Sequence, residues 1–136
     1  MYEHFEHTAD LGLRVRAPDL DSLFGEAAQA LMAAMVEDIR TSEPRVDVEL
    51  IVTGNDQVLR MVDWLATVLT EFEIDRMLYR EFSVANRATG LTAKVRGEPY
   101  DPARHHLSHE VKAVTYHGLV VQQVDDGWLA EVIVDI

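Results

Sequence analysis

The sequence contains no cysteine among its 136 residues. This absence excludes disulfide bonds, thiolate nucleophiles, and zinc or iron–sulfur sites held by thiolate ligands. The sequence also lacks an apolar run approaching the roughly 18 residues of a membrane span, and its start lacks the basic and then apolar layout of a signal peptide. We therefore expect a cytoplasmic protein, not bound to a membrane, whose chemistry depends on oxygen and imidazole groups.

Basic residues are scarce relative to acidic ones: 12 Lys and Arg oppose 24 Asp and Glu, which gives a formal net charge of -12. Direct binding to nucleic-acid phosphates needs clustered Lys and Arg, and the sequence has no such cluster. It also has no glycine-rich phosphate loop and no Ser–His–Asp ordering. We therefore expect neither strong direct nucleic-acid binding nor an independent nucleotide enzyme, whereas a basic protein would be a suitable partner.

The hydrophobic pattern predicts a single domain over residues 1–136, which opens with a strand, a helix, a second strand and a second helix. The strands are predicted by alternation over residues 11–15 and 46–52. The helices follow Asp19 and Asp56, which are suitable N-caps, and each helix should bury one apolar stripe.

From residue 77 onward the hydrophobic period falls to two, which predicts several strands, including one over residues 111–124. Residues 86–90 and 125–127 are typical of hairpin turns. Because short turns favour antiparallel pairing, we expect an α+β fold: a two-layer sandwich with a mixed or mostly antiparallel sheet and two main helices on one face.

The last strand ends on Val134-Asp135-Ile136, so an acidic side chain and a terminal carboxylate are one residue apart. Two crowded carboxylates repel unless one is protonated or a cation lies between them. Their oxygens suit calcium, magnesium or manganese, and Glu131 lies on the same face of the strand. The alternative is a solvated strand end in which Asp135 forms a salt bridge.

Three further groups could carry chemistry. Asp10 precedes the first strand, where a turn or cap is its commoner role. Lys112 interrupts an apolar strand and could contact a partner or simply balance a buried carboxylate. His117, in the same segment, is more typical of a hydrogen-bonded core or rim residue than of a ligand or base.

His105 and His109 have the i, i+4 spacing of zinc ligands, but no Glu lies between them to act as a base, and Pro102 just upstream favours a hydrogen-bonding loop.

Several blocks together resemble the archease family along nearly the whole chain. They are the segment His7-Thr8-Ala9-Asp10-Leu11-Gly12-Leu13, the Leu- and Phe-rich first helix, Val62-Asp63-Trp64-Leu65, the segment Glu110-Val111-Lys112-Ala113-Val114-Thr115-Tyr116-His117, and the closing Val134-Asp135-Ile136. Each block alone is a modest signal. Their order and spacing make the resemblance specific.

The resemblance implies a non-catalytic accessory protein of the GTP-dependent RNA ligase that joins tRNA halves, helping the ligase to become guanylylated and to turn over repeatedly. It implies a divalent metal, commonly calcium in this family, held by Asp10, Asp135 and the main-chain carboxylate of Ile136. By the same block match, Lys112 is the functional lysine, and His117 is a second candidate for contact with the partner. An acidic residue is also expected near residues 37–38, where Glu37 and Asp38 both stand, and neither is assigned to the metal.

Two alternatives stay open. One is a metal-dependent phosphoesterase or hydrolase that uses Asp10 and Asp135 as ligands and His117 or Lys112 for acid–base or charge-stabilising work. The other, also implied by the resemblance, is a chaperone-like modulator of a tRNA methyltransferase. Turnover of phosphoesters by the isolated protein would distinguish the hydrolase from an accessory protein.

Overall fold

The computed structural model describes residues 1–7 and 10–136, so Thr8 and Ala9 of the first motif lie outside the described residues. The elements, in chain order, are strands β1 (Tyr2–His7) and β2 (Asp10–Ala17), helix α1 (Leu20–Met35), strand β3 (Val46–Thr53), helix α2 (Gln57–Asp75), and strands β4 (Met77–Arg87), β5 (Gly90–Pro99), β6 (Ala113–Val114), β7 (Val120–Val124) and β8 (Gly127–Asp135). A single 3₁₀ turn spans Ile39–Thr41. Within the described part, neither helix has the length and hydropathy that crossing a membrane requires.

Both long helices begin where their capping residues predict. The Asp19 carboxylate accepts a hydrogen bond from the Ser22 amide at 2.8 Å, and the Asp56 carboxylate accepts one from the Val58 amide at 2.8 Å. These bonds satisfy amides that have no partner within the helix. Helix α2 ends at Asp75, and its C-cap residue Arg76 has a φ of 56°, which places a non-glycine residue in the left-handed region.

The described strands form two antiparallel sheets, which confirms the α+β class. The larger sheet has the order β1-β2-β8-β6, with β7 also paired to β8, and the smaller has the order β3-β5-β4. The hairpins predicted at residues 86–90 and 125–127 join β4 to β5 and β7 to β8. Strand β1 was missed because its sequence is polar, and the predicted strand over residues 111–124 is interrupted by a turn in which Gly118 has a φ of 59°.

Helix α1 packs between the two sheets, since it contacts both β2 and β4. The prediction of a single buried stripe was therefore too narrow. Residues outside the predicted stripe, namely Ala28, Ala30 and Met32, are fully buried as well. Helix α2 joins this core through Trp64, whose indole N–H donates to the Phe24 carbonyl at 2.9 Å.

Gly12 determines how β1 lies against β2 at the first motif. It pairs directly with Phe5, and a Cβ at this position would overlap the Phe5 ring. The ring also lies beneath the Arg14 guanidinium, 4.5 Å from the guanidinium carbon to the ring centroid. A glycine two residues after Asp10 therefore makes room for an aromatic side chain beside the start of β2.

Candidate metal site

Asp10 and Asp135 come together at one end of the larger sheet. Asp10 begins β2, Asp135 ends β8, and the two residues are direct partners in the antiparallel register. Direct partners project from the same face of a sheet, with Cβ atoms roughly 4.5–5.5 Å apart. Asp10 is half-buried and Asp135 is exposed. The register thus places two acidic residues of like charge directly opposite each other, an arrangement that a bound cation would stabilise.

The segment that contains Lys112 is attached to the other side of β8. Ala113 pairs with Asp135, and the Lys112 amide donates to the Asp135 carbonyl at 2.8 Å. Two residues later, the amide and the hydroxyl of Thr115 both donate to the Ile133 carbonyl, at 3.0 and 2.9 Å. These main-chain bonds place two sequence blocks, Glu110–His117 and Val134–Ile136, side by side.

Glu131, which lies on the same face as Asp135, is not part of this carboxylate pair. It is the direct partner of Arg14, and the Arg14 guanidinium donates to its carboxylate at 3.1 Å. It stands four residues from Asp135 along β8, roughly 13 Å away. Its charge is therefore balanced within the sheet.

The donor set fits a hard divalent cation only if the main chain contributes. No group of three or more Asp, Glu or His side chains that could hold a metal occurs in residues 1–7 and 10–136. Asp10 and Asp135 provide two carboxylates, so a third protein ligand would come from the main chain, which is the role expected of Ile136. The Ile136 side chain is half-buried and packs against the core. Such packing would restrain the adjoining carboxylate.

Lys112 lies in a groove rather than in the core. It is exposed, and none of the ion pairs among the described residues includes it. The groove has a volume of ≈ 490 Å³ and is also lined by Phe72, Arg76 and His109. An exposed lysine is available to a partner, and the structure gives no support to the alternative that Lys112 balances a buried carboxylate.

His117 lies in the turn between β6 and β7, two residues beyond the Thr115 anchor. It is exposed, and its amide is 3.2 Å from the Thr115 hydroxyl. The neighbouring Tyr116 is 60% exposed. His117 is therefore at the surface near the end of β8, not in the core.

Asp38 has a structural role. Its side chain caps the 3₁₀ turn and forms an ion pair with Arg40 at 3.0 Å, and hydrogen bonds from Arg40 lower the pKa of the Asp38 carboxyl. Glu37 is exposed, and its amide donates to the His106 carbonyl at 2.8 Å.

A buried cluster, missed by the sequence reasoning, anchors the loop that leads to Lys112. Glu98 is 0% exposed, and its carboxylate accepts hydrogen bonds from the Glu43 amide and from the Arg45 and Arg104 guanidinium groups. Burial alone would raise the pKa of Glu98. The Glu43, Arg45, His105 and Arg104 bonds outweigh burial and lower the pKa to about 2.

His105 belongs to this cluster, which removes the basis of the zinc alternative. Its Nδ1 accepts from the Asp101 amide at 2.8 Å, and its Nε2 lies 3.2 Å from the Glu98 carboxylate. Both ring nitrogens are used. No local sequence motif marks this cluster. Predicting it would have required knowing that His105 lies against Glu98, seven residues earlier.

The other end of the same loop is attached to α1. The Ser108 amide donates to the Met35 carbonyl at 2.9 Å, and the His109 amide donates to the Ala34 carbonyl at 3.1 Å. These carbonyls belong to the last turn of α1, where no partner exists within the helix. The loop is thus fixed at both ends before it reaches Lys112.

Comparisons with known proteins give one consistent result. The model of the Archease protein family (MTH1598/TM1083) matches residues 2–136. The chain is 42% identical to the protein archease of Methanopyrus kandleri over 99% of this chain and 99% of that protein, and 34% identical to the protein archease of Pyrococcus furiosus over 99% and 98%. The solution structure of Methanobacterium thermoautotrophicum protein 1598 is similar, with a TM-score of 0.84 and 30% identity over 99% of this chain and 98% of that one. The chain belongs to the Archease family.

Proposed function

We propose that this protein is a non-catalytic accessory protein that activates a GTP-dependent tRNA-splicing RNA ligase by promoting guanylylation of the ligase and its multiple turnover. In this proposal Asp10, Asp135 and the main-chain carboxylate of Ile136 hold a divalent cation, with calcium as the preferred ion. The observation that carries the proposal is the direct cross-strand pairing of Asp10 with Asp135.

The pairing supports a cation because the register places the two aspartates opposite each other, so that both side chains can reach one ion. Both belong to strands of one sheet, and the Lys112 amide fixes the Asp135 main chain from the opposite side. Carboxylate oxygens are hard donors that calcium, magnesium and manganese accept, and a bound divalent ion would offset the repulsion. The ion would lie at the end of the larger sheet where β2 begins and β8 ends.

The exposed position of Lys112 on an anchored loop supports contact with a partner protein. The loop before it is anchored by Glu98 and by the end of α1, so the lysine is presented on a fixed main chain although its side chain is exposed. Its amide is also bonded to Asp135, the residue expected to bind the metal. A partner that contacts Lys112 would therefore meet the metal-binding end of β8 as well.

The net charge of -12 supports a basic partner rather than RNA. An RNA ligase must present a basic surface to its substrate, and an acidic protein can dock there rapidly without retaining RNA. Docking can favour guanylate transfer only if this protein binds one ligase conformation more tightly than another. The accessory protein would then act through preferential binding, with the chemistry carried out by the ligase.

The experiment is RNA ligation by the cognate ligase with GTP, under single- and multiple-turnover conditions, with and without this protein. We expect faster guanylylation and repeated turnover only when both proteins are present. The isolated protein, incubated with divalent metal, should neither bind GTP in calorimetry nor hydrolyse phosphoesters. Hydrolysis by the isolated protein would refute the accessory role and favour a phosphoesterase.

A further inference from the structure

A pocket at the opposite end of β2 from Asp10 contains a buried cation. The pocket has a volume of ≈ 420 Å³ and lies where α1 and α2 both begin, since Leu20 and Gln57, their first residues, line it. Arg60 also lines it and is 2% exposed. Because β2 runs from Asp10 to Ala17, this end of the strand lies roughly 23 Å from the carboxylate pair.

Among the described residues, no carboxylate is in direct contact with the charge of Arg60. The guanidinium donates to the Asn86 side-chain oxygen at 3.2 Å and to the Gly54 and Ala88 carbonyls at 2.6 and 3.2 Å, all of which are neutral acceptors. In the described part of the chain, no Asp or Glu oxygen forms an ion pair with it. Burying an ion without a counter-ion is costly.

One donor of Arg60 is also unused. Its Nε is buried and has no hydrogen-bond partner among the described residues. Buried donors in native proteins are nearly always paired with protein, water or an ion. The uncompensated charge of Arg60, which lines the pocket, thus points to an anion beside it.

The rest of the pocket favours the same ligand. Its other lining residues include Arg87, which is exposed, and the amide side chains of Asn55, Gln57 and Asn86; none is acidic, although the whole chain carries 24 Asp and Glu.

Three carboxylates stand near this pocket in sequence, and each has another role. Those of Asp19 and Asp56 are used as helix caps. Asp21 accepts from the main-chain and side-chain nitrogens of Asn86, at 2.8 and 2.9 Å, which orients the Asn86 oxygen toward Arg60. These three acidic side chains are therefore engaged in hydrogen bonds beside the pocket, and none of them lines it.

We propose that this pocket binds a phosphate-type oxyanion, held by Arg60 and Arg87. A tetrahedral oxyanion accepts several hydrogen bonds at once and would balance the charge of Arg60. This site is separate from the carboxylate pair and does not depend on ligase activation.

The test is a ¹H–¹⁵N correlation titration of the full chain with inorganic phosphate at constant ionic strength. We expect saturable shifts of the amides of residues 54–60 and 86–88. Arg87→Gln should weaken binding by at least about tenfold, because a charge-assisted hydrogen bond is lost. Lys94→Gln is the matched control, since it removes one exposed positive charge from the outer face of the smaller sheet.

The titrations distinguish free phosphate from a phosphate monoester as the ligand, and they distinguish both from the absence of a binding site. Equal affinity for inorganic phosphate and adenosine monophosphate would support a site for the phosphate group alone, and tighter binding of the nucleotide would extend the site to a phosphate monoester. Shifts that fail to saturate below about 10 mM, or equal weakening by Arg87→Gln and Lys94→Gln, would overturn the proposal.

Discussion

Replacing Asp135 with Asn should change stability in opposite directions with and without calcium. In metal-free protein the wild type carries two like charges directly opposite each other, which costs roughly 0.2–1 kcal/mol. Asp135 is exposed and Asn is close to it in shape, so little packing is lost. In a chelator the variant should therefore be as stable as the wild type, or more stable by up to about 1 kcal/mol.

The size of the change in Tm follows from the length of the chain. An unfolding entropy of about 2.1 cal/mol/K per residue, over 136 residues, converts about 1 kcal/mol into about 3.5 °C. Calcium at about one hundred times its Kd would stabilise the wild type by about 2.7 kcal/mol, or about 9 °C. The variant should gain much less, because it binds the ion with one fewer charge.

The assay is scanning calorimetry of both proteins, first in a chelator and then in calcium, so that the order of the two Tm values can be compared. Asp126→Asn, in the exposed turn between β7 and β8, is the matched control and should behave like the wild type in both buffers. If Asp135→Asn were less stable in the chelator and gained as much from calcium as the wild type, the carboxylate pair would not be a metal site.

Three further predictions concern residues outside the carboxylate pair. Lys112→Ala should change the free energy of unfolding by less than about 0.5 kcal/mol, since Lys112 is exposed, yet should reduce ligase activation, with Lys94→Ala as the control; a loss of stability that accounts for the lost activation would contradict a partner contact. A C-terminal tag, which converts the Ile136 carboxylate into an amide, should weaken calcium binding in a titration, whereas an N-terminal tag should not; equal affinities would remove Ile136 from the site. Because the pKa of Glu98 is lowered to about 2 in the folded protein, its stabilising contribution should be present above its unfolded pKa of about 4.5 and disappear as the pH falls toward 2, so urea unfolding of Glu98→Gln should depend less on pH in that window; parallel pH profiles would refute this.

The helices and hairpins could be predicted because their signals are local. Asp19 and Asp56 each bond to amides two or three residues away, and the turn at residues 125–127 depends on a glycine with a φ of 152°. Strand β1 could not be found in this way. It is a polar edge strand whose position depends on pairing with β2, and on the space that Gly12 leaves for Phe5.

For the candidate site, residue types could be predicted but contacts could not. Sequence statistics alone made a turn or cap the commoner role of Asp10, and the family resemblance made it a metal-ligand candidate. Only the β2–β8 register places it opposite Asp135. The same register gives Glu131 to Arg14 and so removes it from the carboxylate pair. The hydrogen-bonding role that was preferred over zinc for His105 depends on Glu98, whose carboxylate lies 3.2 Å from the His105 Nε2.

The sequence by itself determined the absence of thiol chemistry, the acidic charge, the helix starts, the turns and the family resemblance, since each depends on composition or on residues close together in the chain. The tertiary structure alone decided which acidic residues lie opposite each other, how the loop before Lys112 is anchored, and that Arg60 is buried with no carboxylate partner among residues 1–7 and 10–136. The physical reason is that pairing, burial and charge balance depend on residues far apart in sequence, which only the packed sheets and helices bring into contact.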